Sequence, residues 1–297
     1  MDTQNLIAFL AVADTGSFSL AAERLHLTQP AISKRISLLE QQLDASLFDR
    51  LGRHISLTEA GRTLLPRARE IMQAFRDAQQ QIKDLRESVS GQLRLVTSHH
   101  IGLHRLPALL RHFAGSYPDV QIDIQFKDSE EACQSILAGE FDLGVVTRSS
   151  FADNRIDREC IWLDRLVFVA AADHPLGARK SVSLSEISRH PALLPDQKFL
   201  TTRIVEDLFR DHRLELNTIM STNYLETIKA LISVGYGWGV LPEIMLTDDS
   251  LIRLPVKGVK LVRHLDCIHH RERSLSNPAR CFMALLRANS TGSNKSS

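Results

Sequence analysis

The stretch Ser17-Phe18-Ser19-Leu20-Ala21-Ala22-Glu23-Arg24-Leu25-His26-Leu27-Thr28-Gln29-Pro30-Ala31-Ile32-Ser33-Lys34 decides how this chain begins. Ser17 stands where the N-cap of a short helix belongs, and Ala21, Ala22 and Leu25 share its inward face. His26-Leu27 is a tight turn. Thr28 is a second N-cap candidate, and Pro30 falls in the following first turn, where a missing N–H is tolerated. On that next helix Ile32, Ile36, Leu39 and Leu43 form one apolar face. Gln29, Ser33 and Lys34 stay on the opposite side, near its start. Two short helices, a tight turn and a polar start to the second make a helix-turn-helix.

Working outward, Leu6, Phe9, Leu10 and Ala13 place one more helix in front. Behind it, Phe48-Asp49-Arg50-Leu51-Gly52-Arg53-His54-Ile55-Ser56-Leu57 reads as a small hairpin, a wing turning at Gly52. The side chains suit base readout: Gln pairs bidentately with adenine, Ser bonds several base edges, and Lys reaches guanine or a phosphate. Arg50 and Arg53 would project from the wing toward the sugar–phosphate backbone or the minor groove. The total charge conceals this, because 36 Lys+Arg against 35 Asp+Glu leave only +1. Lys34, Arg35, Arg50 and Arg53 nevertheless form a local basic cluster.

Residues 58–89 read as one long helix. Leu64, Ala68, Ile71, Phe75, Ala78, Ile82, Leu85 and Val89 are spaced alternately by four and three residues, a 3.5-residue period that forms a coiled-coil seam. So narrow a stripe predicts pairing with a second copy of the chain. Pro66 belongs near the start of this helix.

The rest of the chain is of another class. Length leaves room for it: 297 residues hold two or three cores at roughly 100–200 residues per domain. With 43% hydrophobic and 24% charged residues, the chain is neither disordered nor fibrous. From Gly91 onward, strands at 93–96, 120–126 and 141–146 alternate with helices at 106–113 and 131–137, the pattern of a parallel α/β sheet. The tail 291–297 lacks the apolar surface to order itself. The longest apolar run, Leu166 to Ala172, is far short of the ~18 residues of a membrane span. The first residues carry no signal-peptide pattern, so the expected location is cytoplasmic and no membrane partner is expected.

Several chemistries find no support. There is no GxSxG elbow, no HExxH and no phosphate-cradling loop, so the chain is not expected to be an enzyme. Gly235-Tyr236-Gly237-Trp238-Gly239-Val240-Leu241-Pro242 follows a helix and leads into a strand, the reverse of a dinucleotide fingerprint. No cofactor is expected. His100 and His104, with His99, His269 and His270, lack a completing Cys or carboxylate, so no metal site is expected either. A pH response from His99 or His100 is the stronger of the two histidine readings. Cys160 and Cys267 are read as buried thiols rather than as a redox bridge.

The runs Ala21–Ser33, Leu38-Glu40-Leu43, Leu47-Phe48-Arg50 and Leu57-Thr58-Glu59-Ala60-Gly61 resemble the N-terminal signature of LysR-type transcriptional regulators. The resemblance is specific over residues 1–65 and extends more loosely to about 290. It implies a winged helix-turn-helix over 1–57, a dimerising linker helix over 58–90 and a periplasmic-binding-protein-like effector domain over 91–290. In that domain, subdomain I takes 91–162 and 267–290, and subdomain II takes 163–266. By the match, Gln29, Ser33 and Lys34 read bases, with Thr28 and Pro30 beside them, and Ser17, Arg50 and Arg53 touch phosphates or the wing's groove. The target would be double-stranded promoter DNA with an imperfect palindrome, bound by a dimer or a tetramer, with RNA polymerase as a further partner.

For the effector, the resemblance points to Ser98, His100, Thr147, Thr202 and Asn223, with His99, Thr201 and Arg203 behind them. Plain N-capping is the competing role for Thr201, Thr202 and Asn223. Hydroxyls, an arginine and helix N-termini favour a small anion. The reading is therefore a DNA-binding regulator answering to a small, anionic molecule. The alternatives are a constitutive or architectural DNA binder with an empty cleft, and, more remotely, an enzyme in the α/β half.

Overall fold

The computed structural model describes residues 2–51, 54–84 and 89–290. It divides into two compact units, Met1–Ser88 with Leu137–Glu140, and Val89–Ile136 with Phe141–Ser297.

The first unit opens with helices α1 (Thr3–Thr15), α2 (Phe18–Arg24) and α3 (Gln29–Leu43). Strands β1 (Phe48–Leu51) and β2 (His54–Leu57) pair antiparallel as the wing, and α4 (Glu59–Asp84) follows. The turn between α2 and α3 closes through Leu27 N–H donating to the Ala22 carbonyl at 2.9 Å, with His26 left-handed at φ 51°. Leu6, Phe9, Val12, Phe18, Ile32, Ile36, Leu39 and Leu47 form the core. The inward faces are rotated slightly from the sequence reading. Ala8 and Val12 are fully buried in α1, whereas Leu10 and Ala13 only flank the core. Leu43 is 39% exposed, because α3 ends beside it at the left-handed Asp44.

Helix α4 revises the seam. Ala68 is 0% exposed, and it packs with Met72, Leu64 and Leu65 onto the core of the first unit. Leu64 and Ala68 are therefore core contacts of their own unit, and Val89 packs against the core of the second. Ile71, Phe75 and Ile82 are 39%, 45% and 68% exposed, and Ala78 is exposed beside them. Those four keep the spacing of a seam; Leu85 lies outside the described residues. Pro66 sits inside α4 rather than in its first turn, since the helix begins at Glu59.

The second unit is a mixed sheet in the order β4-β3-β5-β11-β6-β9-β7-β8. Strands β3 (Gly91–Thr97), β4 (Val120–Phe126) and β5 (Leu143–Thr147) run parallel in one half. Strands β7 (Ala192–Leu194), β8 (Thr218–Ser221) and β9 (Trp238–Pro242) do so in the other. Two long antiparallel strands, β6 (Ile156–Ala171) and β11 (Leu261–His270), join the halves. The short β10 (Leu251–Arg253) pairs with β6. The cores mark the crossover: Ile161, Trp162 and Leu265 pack in the first half, while Leu166, Phe168 and Leu261 pack in the second.

Helices α5 (His99–His104), α6 (Leu106–Ser116) and α11 (Asn277–Ser290) pack on the core of the first half, and α7 (Ser129–Leu137) meets that half through Lys127 and Arg158. Helices α8 (Leu184–Ile187), α9 (Leu200–Asp211) and α10 (Leu225–Ser233) belong to the second. Gly235, at φ 86°, ends the α10 segment with the left-handed turn expected of it, and β9 follows. No single helix among the described residues is long and apolar enough to cross a membrane.

Cys160 and Cys267 do not form a bridge. In the β6–β11 register Cys160 faces Asp266 and Cys267 faces Glu159, so the two thiols point to opposite sides of the sheet. Cys160 is exposed rather than buried; Cys267 is buried, and burial pushes its thiol up to about 12.

Candidate nucleic-acid face and ligand cleft

At the start of α3, Thr28 caps the helix, its hydroxyl accepting from Ala31 N–H at 3.4 Å. Ser17 does the same for α2, accepting from Leu20 N–H at 3.3 Å. Thr28, Gln29, Pro30 and Lys34 are exposed, Ser33 is half-buried, and Gln29 Nε2 donates to Ser33 Oγ at 3.4 Å. The first turn of α3 carries no acidic residue, so the positive end of its dipole meets solvent unopposed. Arg50 lies on β1, and Arg53 and the Gly52 turn lie outside the described residues.

The second unit holds a cavity of about 360 Å³ between the two halves of its sheet. Ser98, His99, His100, Thr147, Thr201, Arg203 and Asn223 all line it. Thr202 does not. Helix α9 begins at Leu200 with Phe199 at the N-cap, and Thr202, inside its first turn, points inward and donates to the Pro195 carbonyl at 2.8 Å. Neither threonine is an N-cap. Helix α10 begins at Leu225 with Tyr224 as its cap, so Asn223 lies in the loop before it. Helix α5 begins at His99, which puts His100 inside its first turn.

The cleft floor is built around a residue that sequence reasoning missed. Arg263, on β11, has a side chain only 5% exposed. Its Nε donates to Asp164 Oδ2 at 2.9 Å, its Nη1 donates to Thr201 Oγ1 at 2.8 Å, and its Nη2 lies 2.7 Å from His100 Nε2. Arg105 Nη2 donates to the other oxygen of Asp164 at 3.1 Å, and its guanidinium lies 5.7 Å from the Trp162 ring centre. Burial pushes the Arg263 guanidinium below its ordinary value, Asp164 opposes that shift, and arginine stays charged. Two guanidinium groups thus share one carboxylate, leaving a local excess of one positive charge.

Burial first, and Arg263 next, push the His100 imidazole well below its ordinary 6.5, so it is neutral. A pH response near neutrality at His100, one of the two histidine expectations, is thereby removed. Its Nε2 must accept from Arg263, which leaves the proton on Nδ1, 3.3 Å from Ser98 Oγ. Ser98 then accepts from His100 and keeps its own O–H to donate.

His99 Nδ1 and His104 Nε2 approach the two oxygens of Glu226 at 3.3 and 3.2 Å, joining α5 to α10 across the cleft. No group of three or more His, Cys, Asp or Glu among the described residues is placed to hold a metal ion. Asp164 and Arg263 carried no signal of their own in the sequence, because β6 and β11 each hold several other charged or histidine residues, and only the pairing of the two strands singles these two out.

Comparison with known proteins follows the same division. Residues 3–62 match the family described as "Bacterial regulatory helix-turn-helix protein, lysR family", and residues 86–291 match "LysR substrate binding domain". A probable nitrogen assimilation transcriptional activator of Synechococcus elongatus is 30% identical over 295 residues, covering 97% of this chain and 94% of the relative. Full-length CbnR complexed with its target DNA superposes with a TM-score of 0.71 at 22% identity, covering 97% of this chain and 100% of that one. The CcmR regulatory domain of Synechocystis, in complex with 2-PG, superposes at 0.62 and 22% identity over 67% of this chain and 97% of that one.

Proposed function

The chain belongs to the LysR family of DNA-binding transcriptional regulators, with an effector-binding domain, and from that premise we propose that its effector is a small anion seated on Arg263. The observation that carries this reading is the buried, over-matched guanidinium at the floor of the cleft. Arg263 and Arg105 have one counter-charge between them, Asp164, and of these two arginines Arg263 lines the cavity. Thr201 and Ser98 add hydroxyl donors beside it. The N-terminus of α9, twelve residues long, reaches the same wall with no side-chain cap and no acidic residue in its first turn. A ligand anion would complete the charge balance and gain charge-assisted hydrogen bonds.

On the DNA side, Gln29, Ser33 and Lys34 read base edges, with Thr28 and Pro30 forming the turn that presents them. Ser17, Arg50 and Arg53 hold the phosphate backbone or the wing's groove. The domain limits follow the sequence reading: 1–57 for the winged head, 58–90 for the linker helix and 91–290 for the effector domain, with 91–162 and 267–290 against 163–266. Ile71, Phe75, Ala78 and Ile82 pair with a second copy, giving a dimer or tetramer on an imperfect palindrome in the cytoplasm, with RNA polymerase as the further partner. Anion binding shifts the equilibrium between two arrangements of the cleft through its different affinity for each.

A thermal-shift screen of the full chain with small carboxylates, sulfate and phosphate tests the anion reading. At a hundredfold excess over Kd, a binder adds about 2.7 kcal/mol of apparent stability. A footprint on promoter DNA unchanged by that binder would refute the regulatory role of the site.

A further inference from the structure

The mouth of the cleft is made of rings. Phe126, at the end of β4, is 51% exposed, and Tyr224, before α10, is 55% exposed. Both line the cavity. The His99 ring stands between them, edge-on to each, with centroids at 5.6 and 5.4 Å. The three rings form one wall that runs from one half of the sheet to the other.

The wall is held in place although it is open to solvent. The Phe126 ring lies against the backbone of α5 at Gly102, where a Cβ would come within 2.3 Å of a ring carbon. Only glycine permits so close an approach. His99 is oriented by Glu226, and Glu226 by His104 as well, at 3.3 and 3.2 Å. With Phe126 and His99 positioned in this way and Phe126 and Tyr224 half exposed, the wall offers a stacking surface at a reduced ordering cost to a ligand. Phe199, Leu200 and Leu225 add apolar lining.

Size points the same way. A cavity of roughly 150 Å³ holds a benzene molecule. The cleft, at about 360 Å³, has room for a ring or two beyond the anionic group. A bare inorganic anion or acetate would leave the ring wall unused.

We propose that the effector is a flat aromatic carboxylate, its carboxylate on Arg263 and its ring against the wall of Phe126, His99 and Tyr224. The proposal rests on the anion reading above and adds the chemistry of the ligand's body. The test is calorimetric titration of the full chain with benzoate and phenylacetate against acetate, succinate and sulfate at matched ionic strength. The aromatic acids are expected to bind at least tenfold more tightly than acetate or succinate. Phe126→Ala and Tyr224→Ala should each weaken the aromatic acids about fivefold and leave acetate unchanged; both positions are exposed, so the fold should be kept. Acetate, succinate or sulfate binding as tightly as benzoate would overturn the aromatic class and leave the anion reading standing. So would benzoate binding indifferent to both variants. Binding by none of the five would overturn both.

Discussion

The start of α3 and the floor of the cleft are both polar sites, and they are built in opposite ways. On α3, Thr28, Gln29, Pro30, Ser33 and Lys34 lie within seven consecutive positions, and four of the five are exposed. On the floor, His100, Arg105, Asp164, Thr201 and Arg263 come from five elements or joints spread over 164 positions, and the central arginine is buried. An exposed local site makes few contacts that folding depends on, so its residues set specificity with little effect on stability. A buried site has its charges desolvated, so each partner supports both the ligand and the fold.

The largest expected effect tests the buried side. Asp164→Ala leaves Arg263 and Arg105 without their shared counter-charge, and unfolding in urea should show a loss of about 3–5 kcal/mol. A loss below 1 kcal/mol would mean that water reaches the floor and the contrast with α3 is false. Gln29→Ala tests the exposed side. Binding to operator variants should lose about 1–3 kcal/mol of preference at one base position, with unfolding free energy changed by less than about 0.5 kcal/mol. Equal weakening on all sequences would place Gln29 on the backbone instead of a base.

Acid stability gives a third measure. His100 is held neutral, so the unfolded chain binds a proton that the folded chain refuses between pH 6.5 and the lower folded value. Its contribution is complete above about pH 6.5 and falls as the pH drops below it, by up to about 1.4 kcal/mol per unit. His100→Asn should flatten that acid limb relative to the parent chain in a series of pH-dependent melts. The smallest effect separates two neighbours. Thr202→Val should cost about 1 kcal/mol of stability through its lost bond to the Pro195 carbonyl. It should leave anion affinity alone, whereas Thr201→Val, which takes an acceptor from Arg263, should lower that affinity.

The head was legible because its information is local. Caps at Ser17 and Thr28, the turn at His26-Leu27 and the apolar spacing of Ile32, Ile36 and Leu39 each concern residues a few positions apart. The helix start on α3 follows directly from them. Seven of the eight positions that the family resemblance placed at the effector site line the cavity, while Arg263 at its floor was not among them. Thr202 failed because adjacent helix residues point about 100° apart, and only packing decides which of the two threonines faces the cleft. The seam of α4 failed in its first turns because a heptad pattern does not say whether a stripe faces its own head or a second chain. Ala68 and Leu64 face the head.

By itself, the sequence determined the order of units, the two-helix reading module and the alternating α/β pattern, because backbone preference and hydrophobic period act over short distances. The tertiary structure alone decided the rest. It paired β6 with β11, and that antiparallel register carries Arg263 to Asp164 across 99 positions of chain. It set α5 beside α10, so that Glu226 meets His99 and His104. Strand register and helix packing settle which distant side chains share a buried space, and a buried charge is tolerated only where that arrangement provides its partner.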